Sequence, residues 1–143
     1  MAANTAPIFS ATGDIQWSLS PLVAANTLYD GTGANSVIVA TAGASGSFVQ
    51  RIRFKASGSA TGTVARVFIN NGQSTGSAVN NVLFDEITLA ATSATQTAAT
   101  AVYELPLNFA LPAGYRILTT LGTVQSAGGG WYTSVVGGSY TTI

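Results

Sequence analysis

Phe48-Val49-Gln50-Arg51-Ile52-Arg53-Phe54-Lys55-Ala56 decides the fold class. Successive side chains of an extended strand point to opposite sides. The run therefore sets Phe48, Gln50, Ile52 and Phe54 on one face and Val49, Arg51, Arg53 and Lys55 on the other. An apolar side backed by a basic side is the pattern of a strand with one face on a core and the other toward water.

The same period of two recurs on both sides of this run. Ile15, Trp17 and Leu19 alternate with Gln16 and Ser18 until Pro21, and Ser36 to Ala40 is a short Val/Ile strand. Val64 to Ile69 is mostly apolar, which suits a strand covered on both faces. Val82 to Leu89, Ala101 to Leu105, Tyr115 to Leu121 and Trp131 to Val136 complete a set of eight strands. No segment keeps apolar residues at helical spacing for three turns. Turn formers separate the runs: Asp30-Gly31-Thr32-Gly33, Gly43 to Gly46, Ser57-Gly58-Ser59, Asn70-Asn71-Gly72, Pro112-Ala113-Gly114 and Gly128-Gly129-Gly130. Asn71-Gly72 suits a two-residue hairpin, but the small, polar stretch Gln73 to Asn81 behind it predicts a longer loop. Ala90 to Thr100 holds only Ala, Thr, Ser and one Gln and reads as a surface strand or extended connector. The expectation is all-β: a single antiparallel β-sandwich, jelly-roll-like, over residues 1–143. A short extended N-terminal arm (about residues 1–12) and a C-terminal tail (about 137–143) are expected to flank it.

Composition narrows the function. Five Lys and Arg balance five Asp and Glu, and only 7% of residues are charged, against about 25% in ordinary domains. Phosphate binding needs several cations on one face, so nucleic acid is not an expected partner. Met1 to Pro7 has neither the basic nor the apolar region of a secretory signal, and no apolar run has the length of a membrane span. A soluble protein made in a cytoplasm is therefore expected. A surface of Ala, Ser, Thr, Gly and Val with so little charge suits covering by identical subunits or a larger lattice, with a closed trimer the favoured form.

The chemistry-bearing residues are few. The chain has no histidine and no cysteine, which removes the commonest general base, the thiol nucleophile and the usual zinc ligands. A Ser-His-Asp triad is impossible and Lys55 is the only lysine, so neither catalysis nor a metal or cofactor is expected. Asp85 and Glu86 are adjacent and would face opposite sides of a strand. They, Glu104 and Asp14 read as partners for Arg51, Arg53 or Arg66 ahead of a hydrolytic pair. Gly31-Thr32-Gly33 starts like a dinucleotide loop but lacks the third glycine and opens no helix. Arg51, Arg53 and Lys55 gather three of the five cations on one strand face, either to dock an acidic partner or as a solvated face paired with nearby acids. Trp17, Trp131, Tyr132, Tyr140, Tyr115 and Tyr29 offer a stacking platform, but Trp17 and Trp131 lie on apolar strand faces, which favours core or subunit contact.

Several phrases are familiar together: Arg51-Ile52-Arg53-Phe54-Lys55-Ala56, Thr63-Val64-Ala65-Arg66-Val67-Phe68-Ile69-Asn70-Asn71-Gly72, Leu105-Pro106-Leu107-Asn108-Phe109-Ala110-Leu111-Pro112-Ala113-Gly114-Tyr115, and the ending Gly130-Trp131 to Gly138. They resemble the head decoration, or cement, proteins of tailed bacteriophages, small virion proteins with a β-sandwich fold. The resemblance implies a trimer on the capsid exterior, touching several copies of the major capsid protein and resisting internal DNA pressure. The partners it implies are the major capsid protein and further copies of the chain, with no nucleic acid and no membrane. It carries over no functional residue. Exposure and field nominate the arm Met1 to Ser10, the tail with Tyr140, and Arg51, Arg53 and Lys55 as capsid or subunit contacts. The rival readings are a tail, neck or fibre-associated virion protein with receptor or carbohydrate binding, and a carbohydrate-binding module.

Overall fold

The computed structural model describes residues 10–126 and 128–140. Among the described residues there are eight strands: β1 (Thr12–Trp17), β2 (Val37–Thr41), β3 (Ser47–Ala56), β4 (Thr63–Asn70), β5 (Asn81–Leu89), β6 (Val102–Leu111), β7 (Arg116–Leu121) and β8 (Trp131–Ser139). Sheet A runs β1-β8-β3-β6 and sheet B runs β2-β7-β4-β5. Each early strand is antiparallel to a late one, β1 to β8, β2 to β7, β3 to β6 and β4 to β5. The chain is thus one long hairpin, reversed between β4 and β5 and rolled into two layers. This is an antiparallel β-sandwich of jelly-roll form, as the alternation predicted.

The reversal is a long loop rather than a two-residue turn. Asn70 Nδ2 donates to Asn81 Oδ1 at 2.8 Å, Gly72 N–H donates to Asn70 Oδ1, and a short 3-10 turn at Ala78–Asn80 brings the chain back. Asparagine amides supply both donors and acceptors, which lets the loop hold its main chain without an apolar core of its own.

The two inner faces meet over Ile52, Phe54, Val67, Leu89, Leu111, Ile117, Leu121 and Trp131, all buried. Trp131 opens β8 with its indole N–H donating to Gln125 Oε1 at 3.2 Å and Tyr103 edge-on at 5.8 Å between ring centroids. A buried indole needs such a partner, because an unpaired N–H in a dry core costs free energy.

The faces of β3 differ from the alternation predicted for it. Ile52 and Phe54 are core residues, but Val49 joins them and Gln50 is exposed, with Phe48 on the outward side and half-buried. The register against both β6 and β8 shifts between Val49 and Arg51. Against β8, Gln50 is the extra residue of a β-bulge, while against β6 both Leu107 and Asn108 (φ 54) oppose Gln50; a bulge reverses which parity of β3 faces inward. The backbone crowds there: a Cβ on Gly137 would lie 2.2 Å from the Phe48 carbonyl oxygen, so only glycine fits.

Two strand ends also differ. β6 runs through Pro106 to Leu111, well past the predicted end at Leu105. It is an edge strand, so proline's missing N–H falls on the unpaired side at no cost to the ladder. β8 includes Gly137, Gly138 and Ser139, so the first three residues expected as a C-terminal tail are strand. The expected N-terminal arm lies outside the described residues up to residue 9, and β1 begins at Thr12.

Trp17 is not a core residue. Ile15, Trp17 and Leu19 all point into solvent, at 58%, 63% and 99% exposure, while Asp14 and Gln16 turn inward. β1 is an edge strand lying over the seam between the sheets. There the Gln16 amide mimics a strand: Nε2 donates to the Thr41 carbonyl and Oε1 accepts the Thr41 N–H, both at 2.9 Å, with Asp14 holding the same amide. Inward polarity on β1 satisfies the open edge of β2, which leaves the apolar residues of β1 outside.

The two tryptophans give a direct check of this packing. Trp131→Ala is expected to cost about 3–5 kcal/mol in chemical denaturation, as emptying a filled core site does. Trp17→Ala is expected within about 0.5 kcal/mol of wild type, as at an exposed position. Equal losses would place both rings in the core and contradict the inward turn of Gln16.

Candidate functional site

The outer faces of the two sheets are treated differently by the chain. On sheet B, Phe68 and Leu118 pair across β4 and β7 on the outward side, yet both are fully buried. The segment 22–36 between β1 and β2 runs across sheet B, bonded to Arg66 on β4 and Asn81 on β5. It pairs at Leu22 with Trp131 and at Ala25 with Leu121, then crosses β4 and reaches the start of β5, where the Asp30 carbonyl accepts from Asn81 Nδ2. Gly31 (φ +74) passes Asn81 so closely that a Cβ would sit 2.9 Å from that residue's own.

Arg66 pins this strap. It is buried, its Nε donates to Glu86 Oε1 at 2.9 Å, its Nη1 donates to the Asn26 carbonyl at 3.2 Å, and its guanidinium lies 4.1 Å from the centre of the Tyr29 ring. A planar guanidinium can donate in its own plane to a carboxylate and a carbonyl while its face stacks on an aromatic ring. Glu86 is therefore a structural partner of Arg66, and Asp85 accepts the Glu86 N–H on Oδ1. Within the strap, the Thr32 hydroxyl and then its N–H bond Asp30, holding that exposed carboxyl below its ordinary value.

Among the described residues, no such segment covers sheet A. Register places three rows on its outer side: Ile15, Val136, Arg51 and Pro106; Trp17, Ser134, Arg53 and Glu104; then Tyr132, Lys55 and Val102. The predicted cations Arg51, Arg53 and Lys55 lie along the middle of this face. Glu104 Oε1 sits between the arginines, 2.8 Å from Arg53 Nε and 3.5 Å from Arg51 Nε. Lys55 Nζ donates to the Thr100 carbonyl, and Arg51 Nη1 donates to Gln50 at 2.8 Å. At the far end, Gly13 and Gly138 leave a shallow open cleft of about 300 Å³ against Phe48 and Gln50.

Tyr140 is not gathered with the cations. It follows β8, its N–H donates to the Gly46 carbonyl at 3.2 Å, and it lies at the Ser47 end of β3, opposite Lys55. The remaining acids are dispersed, with Asp14 in the β1–β2 seam and Asp85 and Glu86 on β5. Among the described residues no cluster of three or more His, Cys, Asp or Glu could hold a metal. Reasoning from sequence missed that Ile15, Trp17 and Tyr132 share a face with the cations. Alternation groups residues within one strand but says nothing about which face of an edge strand turns inward.

Comparison with protein-family models, curated proteins and solved structures finds no match to the chain.

The strap makes its own prediction. Arg66→Met is expected to lower stability by about 1–3 kcal/mol. Limited proteolysis is expected to cut within residues 22–36 faster than in wild type. Unchanged cleavage there would show that apolar contacts alone hold the segment.

Proposed function

We propose that the chain is a noncatalytic structural protein that binds the outside of a bacteriophage capsid and stabilises the major capsid protein lattice, as a cement or decoration protein. The observation that carries the reading is the outer face of sheet A, which is open among the described residues. It exposes Ile15, Trp17 and Tyr132, and its charge is confined to one stripe. Partly apolar faces open to water suit contact with other proteins, because a partner that covers them removes that apolar surface from water. Two further features support the reading: the charge shortage of the whole chain, and the resemblance of its β3, β4, β6 and β8 phrases to decoration proteins. In this reading the protein acts as a homotrimer on the capsid exterior, and multivalent contact gives tight binding from modest single contacts.

A second reading has its own observation. Trp17 and Tyr132 stand exposed on adjacent strands, and paired exposed aromatics suit a sugar ring. That favours a tail, neck or fibre-associated protein with a carbohydrate-binding role.

Mixing the purified protein with expanded shells that lack it, sedimenting them and counting bound copies separates the two. The decoration reading expects saturation near one copy per major capsid subunit and shells that then resist heat. Failure to bind, or a few copies at a single vertex, moves the assignment to the tail or neck.

A further inference from the structure

We infer that the occupant of the outer face of sheet A is an acidic protein surface, one that lays carboxylates over Arg51 and Arg53 and an apolar ridge over Ile15 and Trp17. The inference deepens the docking reading above and rests on it.

Charge is the first support. The chain is neutral overall, yet three of its five cations lie on this face against one of its five acids, Glu104. The other acids sit in the β1–β2 seam, on the strap and on β5. With so few charges elsewhere, this stripe dominates the field a partner meets on approach.

Unused donor capacity is the second. One Glu104 oxygen serves two guanidiniums, each of which carries five N–H donors. Close as it is, neither contact is an aligned hydrogen bond, and the Nε atoms of Arg51 and Arg53 are buried without a hydrogen-bond partner. Only these Nε atoms have lost water; the side chains stay 37% and 41% exposed, so their outer N–H donors remain open to a partner. An added carboxylate over the pair supplies the planar, two-oxygen geometry that guanidinium forks match.

Placement is the third. Arg51 and Ile15 share one row and Arg53 and Trp17 the next, each two strands apart, so neighbouring strands about 4.8 Å apart set the apolar ridge about 10 Å from the cations. A protein surface that reaches the cations therefore covers Trp17 as well, and excluding water around Trp17 strengthens the charged contacts beside it.

The test uses the whole chain and a defined probe, a fluorescent, acetylated peptide alternating Glu and Leu, followed by anisotropy. Wild type is expected to bind it, more weakly as salt rises. R51Q/R53Q is expected to bind about tenfold more weakly. Trp17→Ala is expected to bind several-fold more weakly, R51K/R53K between wild type and R51Q/R53Q, and Arg116→Gln, on sheet B, as wild type does. Superimposable thermal melts show that each variant is folded. Three results overturn the inference: no binding by wild type, equal binding by R51Q/R53Q, or polygalacturonate bound as tightly as the peptide, which makes the face an anionic-glycan surface. Sedimentation with the shells runs alongside. Shells that bind wild type and R51E/R53E equally overturn this face while leaving the decoration reading intact. Shells that bind neither overturn the decoration reading, and the peptide result then still judges the face.

Discussion

The burial of Arg66 governs how the two faces of this sandwich are used. A cation taken out of water must be surrounded by groups that replace its hydration, and here these are the Glu86 carboxylate, the Asn26 carbonyl and the Tyr29 ring. Two of the three come from the strap between β1 and β2. Meeting the needs of one guanidinium thus draws an irregular segment across sheet B, the sheet in which Phe68 and Leu118 are fully buried. Sheet B becomes a layer with both sides covered. Among the described residues, sheet A is the one with an open outer side.

The consequence for function is an uneven division of surface chemistry. A chain with 7% charged residues cannot surround itself with charge, so where the few charges fall matters more than in an ordinary domain. Most of its positive charge stands on the uncovered sheet, beside aromatic and aliphatic side chains that an isolated monomer gains nothing by exposing. The proposed docking role connects these facts through one cause. In that proposal, the face that the strap leaves open is the one that meets a partner.

Much of the fold was legible in the sequence because period-two alternation is a local consequence of strand geometry. Ile52 with Phe54, the doubly covered run of β4, the long loop after Asn71 and the connector after Leu89 were all readable from neighbouring residues. The bulge at Gln50 was not, because it answers to the close approach of Gly137 on a strand more than eighty residues later. The continuation of β6 through Pro106 was hidden for a related reason. Proline is a breaker unless its strand is at an edge, and edge position is a property of the assembled sheet. The stripe of Arg51, Arg53 and Lys55 was legible as a stripe, whereas its neighbours Ile15, Trp17 and Tyr132 were not legible as neighbours.

By itself, then, the sequence determined the all-β class, the positions of most strands, the scarcity of charge and the absence of histidine and cysteine chemistry. These follow from composition and from the alternation of side chains along a single strand. Only the tertiary structure decided which face of β1 is inside, which sheet is covered, and that one glutamate is shared by two arginines. Each of these depends on pairing between segments far apart in the chain. The same apolar alternation at Ile15 and Trp17 would be core on a central strand, and it is exposed here because Gln16 is needed to close the edge of β2.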